Sequence, residues 1–171
     1  MVSWCSNNEM TLNIPKCNFI SFYRNKKPIT FQYQISNVNL PVVLNVTDLG
    51  IIFESNLTFN THISKIINKA SKQLGFIRRH CENFTNITAL KSLYCALVRS
   101  CLEYNYTLWA PHQLGLIKEL EAVQHRFLRF VSINCNIYRE AHTSYEPLLG
   151  IFNLKKLFRN KKEKIRFIFL V

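Results

Sequence analysis

The chain has 171 residues, 48% of them apolar, and a formal net charge of +12. Its length suits one domain or a piece of a larger one, and its apolar share excludes wholesale disorder. The excess of Lys and Arg favours polyanionic partners, nucleic acid or an anionic membrane surface, although a basic protein without such a partner has the same composition.

The patterning predicts an α+β fold, with strands in residues 1–57 and helices in residues 58–171. Met1-Val-Ser-Trp-Cys has neither the basic start nor the apolar run of a signal peptide. Trp4 to Met10 reads as the tail of a helix running into a polar turn. Cys17 to Tyr23 alternates apolar and polar residues like a half-buried strand. Asn25 to Pro28 reads as a basic turn. Ile29 to Ile35 is the clearest strand, because Ile29, Phe31, Tyr33 and Ile35 share one face. Ser36 to Asn39 reads as a hairpin turn. Val42 to Leu44 and Leu49 to Phe53 are two further short strands, the second interrupted by Gly50 at a bulge or a close backbone approach.

From Phe59 to Cys81 the period becomes helical. Ile63, Ile66, Ile67, Ala70, Leu74 and Ile77 trace an apolar face, and Lys65, Lys69, Lys72 and Arg79 keep the same spacing on the other side. Asn60 or Thr61 is the expected cap. A second helix starts at Asn86 or Thr88, with Leu90, Leu93, Tyr94, Leu97, Val98 and Cys101 inward and Lys91 and Arg99 outward; Pro111 breaks the pattern after Trp109. A third runs from Gln113 to Ile133, with Leu116, Leu120, Val123, Phe127 and Phe130 inward and Lys118, His125, Arg126 and Arg129 outward. After a polar loop from Asn134 to Thr143, Ser144 to Gly150 reads as one helical turn closed by the glycine. The stretch from Leu154 to Val171 reads as a basic helix that stops without a cap, as in a cut chain.

Six cysteines occur, none in a Cys-x-x-Cys pair. Those on helices sit among apolar residues, where a free thiol acts as a small hydrophobe. They read as reduced thiols of an intracellular protein. No apolar run reaches the ~20 residues that a bilayer-spanning helix needs, so stable membrane insertion is not expected. His80 and Cys81 are adjacent and point about 100° apart on a helix, which rules out a shared metal there. There is no nucleophile motif and no glycine-rich phosphate loop, and no pair of aspartates is placed to hold two divalent cations. The recurring cationic helix faces, with aromatic residues between them, are the arrangement that backbone phosphates need; each face taken singly is also an ordinary solvated surface.

In order and spacing, the residues resemble the reverse transcriptase of non-LTR retrotransposons, most closely the jockey-like group. Trp4, Met10, Leu12, Asn13, Lys16, Cys17, Ile20 and Phe22 begin the likeness. It continues through Asp48-Leu-Gly-Ile-Ile-Phe53, through Leu57, Phe59, His62 and Ile63, and through Lys69, Ala70 and Leu74 to Arg79. Leu90-Lys91, Leu93-Tyr94, Leu97 to Arg99 and Leu102 to Tyr104 follow, then Trp109 and Pro111, Leu120 to Arg129, and Tyr145, Leu148 and Leu149. The similarity spans essentially the whole chain.

The resemblance implies that residues 1–57 are the last part of a polymerase palm and residues 58–171 a helical thumb with the start of the region beyond. It places Lys16 near the phosphates of an incoming nucleotide, though a solvated strand-edge lysine fits the same position. It makes Leu49, Gly50, Ile51, Ile52 and Phe53 a primer-grip hairpin, and Lys65, Lys69, Lys72, Arg78 and Arg79 contacts to the nucleic-acid backbone of an RNA template and DNA primer. The complete family enzyme uses Mg²⁺ held by a Tyr/Phe-Ala-Asp-Asp motif. That motif is expected upstream of Trp4 and is not in these residues, so the chain is expected to be inactive by itself. The resemblance places the fingers, the first palm aspartate and any endonuclease domain outside these residues as well. Two alternatives are an independent basic helical module for nucleic acid and a membrane-surface protein acting through its basic C-terminal helix.

Overall fold

Short strands precede long helices, as the change of period near Phe59 predicts. The computed structural model describes residues 2–23, 31–138 and 143–157. The architecture is α+β, with two antiparallel two-stranded ladders followed by helices. The chain divides into two units, Met1–His62 and Ile63–Val171.

In the first unit, α1 (Val2–Asn7) ends where Met10 N–H donates to the Cys5 carbonyl at 2.9 Å and Glu9 takes φ 55°. This is the expected helix tail and turn. Strands β1 (Gln34–Ile35) and β2 (Val38–Asn39) join through Ser36 and Asn37, at φ 49° and 64°. Positive φ at both central residues is the type I′ hairpin turn, whose twist matches that of the strands. Strands β3 (Asn45–Asp48) and β4 (Ile51–Glu54) pair from Asp48↔Ile51 to Asn45↔Glu54.

Several expected strands are corrected. Cys17–Tyr23 makes one isolated parallel bridge, Phe19↔Val42, through Phe19 N–H to the Pro41 carbonyl and Val43 N–H to the Phe19 carbonyl. Pro41 has no N–H, so it cannot donate the bond that would extend that ladder. The basic turn at Asn25–Pro28 and residues 29–30 lie outside the described residues. Phe31 and Tyr33 do share a side, with ring centroids 4.8 Å apart, but only Gln34 and Ile35 enter a ladder. Val42–Leu44 contributes that bridge and the Leu44 carbonyl, which accepts from Ser55 N–H at 2.8 Å, and the strand begins at Asn45, in an Asn-Val-Thr-Asp run whose two ends are poor strand formers. Gly50 is not a bulge. It is the second residue of the β3–β4 turn, at φ 82°, beside Leu49 at φ 46°.

Helix α2 (Asn60–His80) has its first turn tied, through the Thr61 hydroxyl, to a side chain outside the helix. Glu54, at the end of β4, supplies the acceptor: its carboxylate receives the Thr61 hydroxyl at 2.5 Å and the Thr58 hydroxyl at 2.8 Å. The backbone N–H groups of Asn60 and Thr61 lie near enough to favour its charged form as well. A carboxylate there satisfies donors that the first helical turn leaves open. Burial pushes the Glu54 carboxyl up, but these hydrogen bonds outweigh it and hold its pKa below the ordinary 4.5. One residue pair further in, His62 is buried and its Nδ1 accepts from Ile52 N–H at 3.3 Å.

In the second unit, Ile63, Ile66, Ala70, Leu74 and Ile77 are buried along α2, as the spacing predicts. Asn86 caps α3 (Ile87–Leu93) by accepting from Ala89 N–H at 3.0 Å. A wide π turn, Tyr94–Arg99, carries α3 into α4 (Ser100–Glu103), with Ser100 N–H reaching back five residues to the Cys95 carbonyl. This turn changes the inward face. Leu90, Tyr94, Val98 and Leu102, spaced by four, are all 0% exposed. In a straight α-helix such residues drift by about 40° per step, and the wide turn takes up the drift. Leu93 and Leu97, expected inward, are each 37% exposed instead, and Cys101 is half-buried. Arg99, expected outward, is half-buried: its Nε donates to Glu103 at 2.8 Å and its NH1 to the Lys155 carbonyl at 3.1 Å. Burial disfavours its charge, yet the Glu103 carboxylate more than restores it, and its pKa is raised.

After the single turn α5 (Tyr106–Trp109), α6 (Leu114–Asn134) buries Leu120, Val123, Gln124, Phe127, Leu128, Phe130 and Val131; Leu116 is half-buried. Tyr94 stacks on Phe127 at 4.1 Å, and its hydroxyl donates to Gln124 Oε1 at 3.1 Å. Gln124 Nε2 donates onward to the Lys155 carbonyl at 3.1 Å. Burial raises the Tyr94 pKa, which keeps that hydroxyl a donor. Helix α7 (Glu146–Ile151) is closed by Asn153, at φ 46°, rather than by Gly150: Leu154 N–H reaches the Leu149 carbonyl and Asn153 N–H the Gly150 carbonyl. This is the Schellman arrangement with asparagine in the left-handed place. It turns the chain out of the helix, so residues 154–157 are not the start of the expected basic helix. The rest of that stretch lies outside the described residues.

Two outcomes are expected. Gln124→Leu leaves the buried Tyr94 hydroxyl without its partner, while the Lys155 carbonyl keeps Arg99, and costs about 1–3 kcal/mol. Adding Tyr94→Phe costs less than the two changes summed; strict additivity in urea unfolding would show that the bonds do not act as a unit. Glu54→Gln costs about 1 kcal/mol at neutral pH. Because the folded-state pKa is depressed, the native Glu54 contribution is complete well above pH 4.5 and fades as pH falls through the lowered folded value. Wild type and variant should therefore converge in stability in acid, and a gap that persists there would exclude the ionised cap.

Candidate nucleic-acid interface

A helix presents residues three, four and seven apart on one side. Lys65, Lys69, Lys72 and Arg79 fall within an arc of about 80° on α2, and all four are exposed. Arg78 is exposed too, turned about 100° from Arg79. The structure carries this cationic side onto α6. A cleft of ≈ 630 Å³ is lined by Gly75, Arg78, Arg79 and Glu82 on one wall and by Arg126, Arg129, Phe130, Ile133 and Asn134 on the other. A second recess of ≈ 440 Å³ follows α2 past Asn68, Ser71, Lys72, Gly75 and Arg79.

The cleft is held by specific contacts. Arg126 NH1 donates to the Ser71 hydroxyl at 3.4 Å, linking α6 to α2. Arg129 NH2 donates to the Tyr145 hydroxyl at 3.2 Å, and the Tyr145 ring stacks on His125 at 4.1 Å with 7° between planes. Asn134 Nδ2 donates to the Cys81 carbonyl at 2.9 Å, fixing the end of α6 against the turn after α2. Among the described lining residues, four guanidiniums face one carboxylate, Glu82. The ion pairs Arg99–Glu103 (2.7 Å) and Lys156–Glu146 (2.6 Å) lie elsewhere. Such an arrangement sets a positive potential in a recess, where low-dielectric walls concentrate it.

The other expected site residues are placed differently. Lys16 ends a short 3₁₀ turn, Ile14–Lys16, and is exposed, so it stands on a turn and not on a strand edge. Of the hairpin residues, Leu49 and Gly50 form the exposed tip, Leu49 at 77%. Ile51 and Ile52 are buried, and Phe53 packs against Phe59 and Phe22 with ring centroids 5.8 and 6.5 Å away. Of these five residues, Leu49 and Gly50 are the exposed ones. Lys16 and the hairpin belong to the first unit, and the cationic side chains of α2 to the second.

Arg126 and Arg129 read as outward from their spacing, but nothing in the sequence joins them to Arg78 and Arg79. That juxtaposition needs α2 and α6 side by side. The six cysteines stand as free thiols. Among the described residues, no three His, Cys, Asp or Glu side chains converge as a metal site, and no helix is long and apolar enough to cross a membrane. No family model, no curated protein and no solved structure matches this chain.

Like charges gathered this closely repel. Exchanging Arg79 and Arg126 for Gln is expected to raise stability by roughly 0.5 kcal/mol at low ionic strength, with the gain vanishing in high chloride. Sulfate should raise the melting temperature of the wild type more than that of the variant, since an anion bound to the native state stabilises it by mass action. Equal sulfate responses in thermal melts would show that the cleft holds no anion.

Proposed function

We propose that the chain binds the phosphate backbone of nucleic acid through the exposed cationic side of α2 and the adjoining arginines of α6. The observation that carries this is the continuity of the two: Lys65, Lys69, Lys72 and Arg79 run along one exposed side, and Arg126 and Arg129 extend it across the cleft. Two helical turns, from Lys65 to Lys72, span about 10.5 Å, the axial rise of about three base pairs. Cations at that spacing reach successive phosphates without reading bases.

Together with the sequence resemblance, this supports a role as part of a jockey-like non-LTR reverse transcriptase, gripping an RNA template and DNA primer. By itself the chain is expected to bind and not to polymerise. Phosphoryl transfer in that family needs divalent ions held by paired aspartates, and Asp48 is the only aspartate in the sequence. Magnesium is accordingly expected of the complete family enzyme.

The test is a salt titration of binding to an RNA–DNA hybrid, read by fluorescence anisotropy. Each neutralised phosphate contributes about −0.9 to the slope of log K against log salt. Replacing Lys65, Lys69 and Lys72 by Ala should reduce that slope by roughly two to three units, with little dependence on sequence. The same replacement at Lys161, Lys162 and Lys164, outside the described residues, should matter less. If anionic vesicles compete well and the C-terminal lysines dominate, the partner is a membrane surface. An unchanged slope in the first variant removes α2 as the contact.

A further inference from the structure

The cleft between α2 and α6 combines features that a duplex backbone alone does not require. Its rim is cationic, but its α6 wall carries Phe130, 9% exposed, and Ile133, 69% exposed. A large aliphatic side chain so exposed among arginines offers a flat apolar contact next to fixed positive charge. The volume of ≈ 630 Å³ exceeds what a bare phosphate fills and lies in the range of about 300–1,000 Å³ typical of small-ligand sites.

The α2 wall is thinned at Gly75, which borders both this cleft and the neighbouring recess. Glycine inside a helix is destabilising relative to alanine, and packing does not demand it here. A Cβ at Gly75 would meet only Arg79 NH1, at 3.5 Å, an ordinary contact. What the missing side chain provides is room in front of the guanidiniums.

We infer that the cleft seats one unpaired nucleotide of a bound strand, its phosphate among Arg79, Arg126 and Arg129 and its base against Ile133 and Phe130. This rests on the nucleic-acid reading above and adds a preference to it. Bases within a duplex are stacked and cannot enter a recess, whereas a base in a single-stranded overhang is free to leave the stack and lie on a side chain. The chain should therefore favour a hybrid with a single-stranded overhang over the same hybrid with blunt ends.

The experiment measures the affinity ratio of overhang to blunt hybrid for wild type, Gly75→Met and Ile133→Asp. Wild type is expected to prefer the overhang about fivefold, the low end of what a base stacked on an aromatic side chain contributes, because the exposed contact, Ile133, is aliphatic. Both variants should bring the ratio to about one. Gly75→Met introduces a good helix former, so an undiminished melting temperature separates a filled cleft from a misfolded protein. A wild-type ratio near one overturns the seat but leaves backbone binding standing; failure to bind either hybrid overturns backbone binding itself. Inorganic phosphate competing for the overhang as well as a mononucleotide does would show that no base contact exists. A mononucleotide binding as tightly as the overhang would make the occupant a free nucleotide and overturn the in-strand assignment.

Discussion

A buried amide must have its hydrogen bonds made, and in this protein one such amide fixes the helical unit. Gln124 is 0% exposed in the middle of α6. It accepts from the Tyr94 hydroxyl, thirty positions back, and donates to the Lys155 carbonyl, thirty-one positions on. Arg99 donates to that same carbonyl. Any slip of α6 against the helix at residues 87–103 would strand the Tyr94 hydroxyl and the Gln124 amide away from water, each at a cost of about 1–3 kcal/mol. The apolar contacts around them, Tyr94 on Phe127 above all, tolerate small displacements; the hydrogen bonds do not.

The same constraint orients the cationic side. Residues two and five after Gln124 are turned by roughly 200° and 140° from it on a helix. With Gln124 held inward, Arg126 and Arg129 must face out, where Ser71 of α2 and Tyr145 receive them. Glu54 does the equivalent for the start of α2 by capping it from outside the helix. At that first turn a carboxylate from the end of a strand receives the Thr61 hydroxyl. The resulting concentration of arginines conflicts with local stability, and such conflicts collect at functional positions.

Helices here end without glycine. Glu9, Asn136 and Asn153 take φ 55°, 52° and 46° at the ends of α1, α6 and α7. Asparagine tolerates the left-handed region because its short polar side chain can bond locally. In a chain with only four glycines, this explains why glycine proved a poor guide to boundaries: Gly150 lies inside α7 and Gly75 inside α2, while the three stops are Glu9, Asn136 and Asn153. Gly50 alone marks a reversal, and there it shares the turn with a strained Leu49.

The sequence by itself determined the α+β order, the extents of α2 and α6, a cap at Asn86 or Thr88, a hairpin turn within Ser36–Asn39 and the exposure of the α2 lysines. These follow from periodicity and short-range bonding, which act between residues a few positions apart. The strands were less legible, because a strand is defined by its partner: Phe19 found a proline that cannot donate, and Asn45 to Asp48 became a strand through pairing with Ile51 to Glu54. Tertiary structure also decided the inward face at residues 90–102, where the π turn set a four-residue spacing, and the capture of Arg99 by Glu103 and Lys155. The cleft is tertiary as well. Its four arginines come from segments some fifty positions apart, and only the packing of α2 beside α6 brings their charges into one potential.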